Sequence, residues 1–258
     1  MPAHATPGRL SGCYVISLRP VGGHGTVRRA AAALGARTLA LSPWRIVHLG
    51  DDDARSALRR ALASSRVVFT SPAAVAAAAA LEPLRPQAGQ PWVAVGAGTA
   101  QALRRAGAGT VDAPARMDSE GLLALPVLRD VRGLDIGLVT APGGRGVIAA
   151  TLASRGARVL RANVYERVEI APSPRAVAAL RALDAPAWVL VSSGEALDHV
   201  VATLPADALA CLRGAGVVAA SERLAGLARD HGLQVVAVAA SARPAAMLAA
   251  CAGAAAKP

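Results

Sequence analysis

The sequence predicts an α/β protein of two similar parallel-sheet domains, and three observations carry that prediction. The 258-residue chain nearly repeats itself: the stretch from Tyr14 to Val47 is echoed by the stretch from Ala141 to Val168. Gly22-Gly23 falls on Gly143-Gly144, Gly35-Ala36-Arg37 on Gly156-Ala157-Arg158 (156 − 35 = 121), and Trp44 on Tyr165. The same offset lays residues 66–71 over 187–192. Short β-branched runs alternate throughout with alanine-rich amphipathic stretches, the pattern of βαβ units whose strands are buried on both faces. The length suits two domains, each able to bury its own core. Two like halves can face each other across a cleft, which makes that cleft the first expected site.

Residues 14–18 (YVISL) read as the first strand, 26–34 as a helix and 38–41 as the second strand. Residues 44–49 then alternate charged and apolar, as do 165–170 in the other half. Such alternation suits an exposed two-stranded ribbon with one strand from each half, and so a linker. Each run meets a helix-starting cluster, Asp51-Asp52-Asp53 or Pro172-Ser173-Pro174. The series goes on with helix 54–63, strand 67–70, helix 73–81, strand 92–95, helix 99–106, strand 110–112 and helix 120–128. The second half offers strands at 136–140, 159–162, 187–191, 216–219 and 235–239. Helices at 147–154, 175–182, 196–203, 222–230 and 244–250 fill the intervals.

Composition narrows the chemistry. No run approaches the roughly 20 apolar residues that span a bilayer, so no membrane association is expected. The N-terminal stretch lacks a charged region followed by an apolar run, so no secretory leader is expected. Cys13, Cys211 and Cys251 are widely spaced and odd in number, which fits a reducing cytoplasm. The net charge is +11 and the only lysine is Lys257; the remaining basic residues are arginines, suited to carboxylates or phosphates. They are scattered, and six aromatics are too few to stack on bases, which points to a small polyanion and away from nucleic acid. With no lysine outside the tail there is no Schiff-base or phosphate-loop lysine. Five scattered histidines (His4, His24, His48, His199, His231) and no Cys-x-x-Cys pair give no metal site. No cofactor is expected.

What remains is hydroxyls, arginines and backbone amides. Ser71, Thr99, Ser192, Ser193 and Ser221 each fall where a strand gives way to a helix. That is the carboxyl edge of an α/β sheet, where ligands bind and helix N-termini offer amides to anions. Each also fits a plain helix cap. Gly96-Ala97-Gly98-Thr99-Ala100-Gln101 approaches a dinucleotide fingerprint, but Gln101 replaces its third glycine. Gly143-Gly144-Arg145-Gly146 is a flexible turn that either brings Arg145 to an anion or leaves it solvated; Arg19-Pro20, after the first strand, carries the same two readings. Tyr165 opens the ribbon, either as packing mirrored by Trp44 or as a phenol that donates a proton into the cleft.

Taken in order, several motifs resemble the uroporphyrinogen-III synthase family. They are Val68-Phe69-Thr70-Ser71-Pro72, the run 94–100 containing Gly98-Thr99-Ala100, Ser119-Glu120-Gly121-Leu122-Leu123, Gly143-Gly144-Arg145, residues 152–159, Val164-Tyr165-Glu166-Arg167, Ser192-Ser193 and Ser221-Glu222-Arg223-Leu224-Ala225. The likeness runs from about Ser17 to Ala250; Ala73 stands where members often carry Asn or Arg. The resemblance implies two flavodoxin-like domains joined by a two-stranded ribbon, the chain passing from one to the other and back. Domain 1 would be 1–46 plus 170–258 and domain 2 would be 47–169, with linker strands near 44–50 and 164–171. It also implies a cofactor-free, cytoplasmic, monomeric enzyme that cyclises hydroxymethylbilane, a linear tetrapyrrole polycarboxylate, to uroporphyrinogen III with inversion of the last ring. Tyr165 would be the acid. Arg19, Ser71, Gly98, Thr99, Arg145, Ser192, Ser193 and Ser221 would bind substrate. The alternative is a two-lobed binding protein for a small polyanion, without catalysis.

Overall fold

The computed structural model describes residues 9–116, 119–143 and 146–255. In chain order the first elements are β1 (Tyr14–Ser17), α1 (Gly25–Ala32), β2 (Arg37–Ala40) and β3 (Trp44–His48). Then come α2 (Asp52–Leu62), β4 (Arg66–Phe69), α3 (Pro72–Leu81), β5 (Trp92–Ala94), α4 (Ala97–Arg105) and α5 (Ser119–Leu123). A 3-10 turn (Pro126–Leu128) leads to β6 (Asp135–Thr140), α6 (Val147–Ser154), β7 (Arg158–Asn163) and β8 (Tyr165–Glu169). The last third holds α7 (Pro174–Arg181), β9 (Ala187–Val191), α8 (Gly194–Thr203), α9 (Ala206–Arg213), β10 (Gly216–Ala219), α10 (Glu222–Asp230), β11 (Val235–Val238) and α11 (Pro244–Ala255).

Contacts divide the chain into two units, Met1–Arg45 with Val168–Pro258, and Ile46–Arg167. The first holds a parallel sheet of order β11-β10-β9-β1-β2, the flavodoxin-like arrangement. The second holds a parallel sheet of order β5-β4-β6-β7, to which Asp112 adds a single parallel bridge beside Val93. β3 and β8 form a separate two-stranded sheet. The Leu49 amide donates to the Val164 carbonyl and the Ile170 amide to the Pro43 carbonyl, so these two strands run in opposite directions.

The repeat is conformational as well as chemical. Gly22 and Gly143, 121 positions apart, both turn the chain at φ +80°, and Gly35 and Gly156 follow α1 and α6 at φ +81° and +85°. Only glycine takes these left-handed angles without strain, so they are held at the same place in each half.

Helices α2 and α3 pack largely through alanine. α2 is capped by Asp51, whose Oδ1 accepts from the Ala54 amide at 2.7 Å. Asp52 and Asp53 stand in its first turn and Arg59 and Arg60 in its last, both favourable to the helix dipole. Its buried face is Ala54, Leu58 and Ala61. α3 is almost all alanine and buries Ala74, Val75, Ala77 and Ala78. Phe69 and Trp92 fill the centre of the same unit with ring centroids 5.1 Å apart, the Trp92 indole donating to Gln90 Oε1 at 2.9 Å. Beneath α2, the Gly137 Cα on β6 faces the Ala61 carbonyl so closely that a β-carbon would overlap it. Gly137→Ala is therefore expected to lower the unfolding free energy by about 2 kcal/mol, read as a drop in the urea midpoint. An unchanged midpoint would mean that α2 can lift off the sheet without loss.

Three expectations are corrected. The helix expected over 120–128 stops at Leu123 and resumes only as a 3-10 turn. Pro126 lacks the amide hydrogen an α-helix would need there, and its ring would strike the preceding turn. The strand expected at 110–112 shrinks to the one bridge at Asp112, between the glycines at 107 and 109 and Pro114. α9 falls in the stretch 204–215, for which no element is expected; Ala208 and Leu212, four apart, are its buried face, too short a pattern to stand out after Leu204-Pro205. Among the described residues no helix is long and apolar enough to cross a membrane.

Candidate active site

In the second unit the strand ends deliver a set of hydroxyls. Tyr165, the first residue of β8, is 8% exposed, and its phenol oxygen lies 3.0 Å from Ser71 Oγ. Ser71 Oγ also accepts from the Ala74 amide at 3.0 Å, so it caps α3 and meets the phenol at once. The two residues are 94 positions apart, brought together because β4 and β7 flank β6. Next to them, the Thr70 hydroxyl at the end of β4 donates to Thr140 Oγ1 at the end of β6, 2.9 Å away. Thr70 and Thr140, though not Ser71 or Tyr165, line a pocket of about 170 Å³ whose walls also include Ser119, Gly143, Gly146 and Arg161. Arg161 donates to the Ala141 carbonyl at 2.7 Å and through Nε to Asn163 Oδ1 at 2.9 Å. Arg145 lies outside the described residues.

Thr99 is not a cap. It is the third residue of α4, only 4% exposed, and Gly96 takes the cap position with no side-chain bond. Gly98 is exposed, and a β-carbon there would meet only Pro72 Cγ, at an ordinary 3.7 Å. Packing does not require glycine at this point. The first-turn amides of α4 have no partner within the helix.

In the first unit the carboxyl edge of the sheet carries Arg19, Ser192, Ser193 and Ser221. Ser193 caps α8 (from the Ala196 amide, 3.3 Å) and Ser221 caps α10 (from the Leu224 amide, 3.4 Å). Ser192 precedes the cap and is exposed, so the expectation that it marks the helix start shifts by one residue to Ser193. Arg19 is half-buried just after β1, and burial lowers its pKa. It lines a small cavity with Ser17, Leu190, Ser192 and Met247. The strand order reverses between β1 and β9, and ligands of open α/β sheets bind at that crevice. Beside it His24, 4% exposed, lies between Ser17 Oγ (Nδ1, 3.0 Å) and Ser42 Oγ (Nε2, 2.9 Å). Burial, reinforced by Arg28 and Arg19, pushes its pKa down to about 4, so the ring is neutral at pH 7.

Carboxylates with displaced pKa lie elsewhere. Arg158 holds Asp135 below the usual range at the amino end of β6, and Arg181 does the same for Asp207 on the first turn of α9. Among the described residues no three histidines, cysteines or acids gather as a metal site. Sequence reasoning missed Thr70, Thr140, Arg161, Ser17 and Ser42 as site residues and took His24 only as one of five scattered histidines. A signal was present for two of them: Ser17 and Thr140 each break an apolar strand run at its carboxyl end.

Known proteins resemble this chain in sequence and in fold. A family model described as uroporphyrinogen-III synthase HemD matches residues 26–249. The uroporphyrinogen-III synthase of Escherichia coli K12 is 34% identical over 150 residues, which are 57% of this chain and 61% of the relative. The matched stretch thus spans less than two thirds of that relative's length. A mutant uroporphyrinogen III synthase from the extremely thermophilic bacterium Thermus thermophilus superposes with a TM-score of 0.58 at 20% identity, over 94% of this chain and 98% of its own. The synthetase from Helicobacter pylori 26695 does so with a TM-score of 0.58 at 13% identity, over 92% and 96%. At such identities the two structures bear on the fold alone, whereas the family model covers most of the sequence. The chain belongs to the uroporphyrinogen-III synthase family.

Proposed function

We propose that this protein closes hydroxymethylbilane into uroporphyrinogen III with loss of water and inversion of the terminal ring. The observation that carries the reading is the Tyr165–Ser71 contact. A buried phenol needs a hydrogen-bond partner in any case; here the partner is Ser71, whose oxygen is fixed by the Ala74 amide and whose hydrogen is left to donate to the phenol oxygen. With Ser71 as donor to the phenol oxygen, the phenol hydrogen is left for the substrate. It passes to the departing hydroxyl as the C–O bond breaks, giving water and an azafulvene-like cation. The substituted carbon of the terminal ring attacks that cation to form a spiro intermediate. Cleavage and re-formation of the carbon–carbon bond reverse the ring, and loss of a ring proton to the phenolate restores both aromaticity and the phenol. Between those steps the Ser71 hydroxyl and the positive end of α3 stabilise the phenolate.

Substrate binding follows from the substrate's carboxylates. The open first-turn amides at Gly98 and Thr99, the Ser193 and Ser221 helix starts, Ser192, Arg19 and Arg145 supply donors for them. Thr70 and Thr140 add hydroxyls to the pocket that Gly143 and Gly146 also line. The unaided cation closes without inversion, so the protein's contribution is geometric restraint more than acid strength. The free cysteines Cys13, Cys211 and Cys251 suit a cytoplasmic setting, and the monomer is taken as the working unit. Purified protein incubated with freshly made hydroxymethylbilane, followed by oxidation and separation of the isomers, is expected to yield the type III porphyrin. Type I alone, as buffer gives, would refute the proposal.

A further inference from the structure

The buried His24 has no part in the chemistry above, yet it occupies a demanding position. Its bond to Ser17 closes the loop 17–24 on itself, and its bond to Ser42 ties that loop to the segment between β2 and β3. The backbone follows the same tight path. The Gly23 amide donates to the Pro20 carbonyl at 2.8 Å and the Val21 amide to the Trp44 carbonyl at 3.0 Å. A β-carbon on Gly23 would meet the Pro20 oxygen at 3.1 Å and Arg19 Cβ at 3.6 Å. Arg19 sits inside this loop, and its guanidinium has no ion pair among the described residues.

We propose that Ser17, His24 and Ser42 form an uncharged brace that positions Arg19 to take a substrate carboxylate, with His24 as the positioning residue. The residue type follows from the charges around it. The groups facing His24 are Arg19 and Arg28, so a cationic side chain would add a third positive charge to a buried site. A carboxylate would satisfy both serines but pair with Arg19 and cancel the charge the ligand needs. A neutral imidazole offers one donor and one acceptor to two hydroxyls and leaves Arg19 uncommitted. A half-buried guanidinium without an ion pair gives up part of its hydration in the free protein, a cost that an arriving anion offsets, which favours carboxylate ligands over neutral ones. The inference rests on the cyclisation reading for the identity of the substrate, but not for the existence of the carboxylate subsite.

The test uses the full chain and the octacarboxylate uroporphyrin III, with its dissociation constant read by fluorescence titration, beside KM and kcat on hydroxymethylbilane. Relative to the unaltered protein, Arg19→Ala is expected to weaken binding and raise KM by about tenfold, and His24→Ala by a similar factor, with kcat within about twofold. His24→Gln, which keeps one donor and one acceptor, is expected to stay within about threefold. His24→Glu should bind as poorly as Arg19→Ala. In the Arg19→Ala background, His24→Ala should add nothing further, because both act through one contact. Additive losses, or a His24→Ala dissociation constant equal to that of the unaltered protein, would overturn the brace. Should His24→Ala not fold, the Gln and Glu variants and Ser42→Ala decide: equal affinities in all three overturn it. Absence of the type III isomer with the unaltered protein would defeat the cyclisation reading and leave this affinity comparison standing. Type III formation with affinities that ignore His24 would defeat the brace alone.

Discussion

Tyr165→Phe is expected to slow turnover of hydroxymethylbilane by more than tenfold while leaving the fold intact, since general acid catalysis contributes on the order of 10²–10⁴. The substitution removes one oxygen from a side chain that is otherwise buried packing in the core of the second unit. The ring remains to fill its place, and Ser71 keeps the Ala74 amide as a partner. Thermal unfolding should therefore shift little, and the loss should fall on kcat more than on KM. Ser71→Ala tests the same contact from the other side. It removes both the phenol's partner and the cap of α3, so it should lower turnover and also cost about 1 kcal/mol of stability. Equal turnover for Tyr165→Phe and the unaltered protein would reduce Tyr165 to a packing residue like Trp44, its counterpart in the other half.

The second large effect is on stability and depends on pH. His24 titrates near 6.5 when unfolded and at about 4 when folded, because burial and the neighbouring Arg28 and Arg19 oppose its charge. Between those values the unfolded chain binds a proton that the native state refuses. The favourable contribution is complete above about pH 6.5 and is lost as pH falls towards 4, about 3 kcal/mol in total. His24→Gln has no proton to gain, so its unfolding free energy should fall less over the same interval. The measurement is urea unfolding of both proteins at pH 7, 5.5 and 4, with the difference between them as the readout. Parallel curves would mean that His24 is protonated in the folded state or hydrated in a way that spares it the cost.

The tandem likeness was legible because it is written in the residues that punctuate the chain. Gly22 and Gly35 recur as Gly143 and Gly156 with the same left-handed angles, and β1, β2 and β4 recur as β6, β7 and β9. That repeat nevertheless runs straight through the sequence, whereas the structural units do not. In the second sheet β6 and β7 stand where β1 and β2 stand in the first, and β4 and β5 take the places of β9 and β10. The same strand layout is thus entered at a different strand in each unit. Offset alone reports the likeness and is silent on which segments share a sheet. The division came only with the family resemblance.

Site residues divide in a similar way. Ser193 and Ser221 could be placed from the strand-to-helix switch, since capping is a local property of three or four residues. Thr99 had the right location and the wrong local role, because Gly96 caps α4 without a side chain. The contacts that give Tyr165, Thr70 and His24 their meaning join residues 94, 70 and 18 positions apart, and no local pattern encodes such partners. At Pro126 the missing amide hydrogen outweighs the apolar spacing on either side, and the chain forms a 3-10 turn there.

Under the proposed reaction, the protein dictates how the two ends of a linear tetrapyrrole join. The most direct test is the isomer ratio formed from a fixed amount of hydroxymethylbilane as protein concentration is raised. The type III fraction should climb towards completion with the unaltered protein and lag at every concentration for Tyr165→Phe. A ratio that stays at the type I product of the spontaneous reaction, however much protein is added, would show that the protein does not direct ring closure.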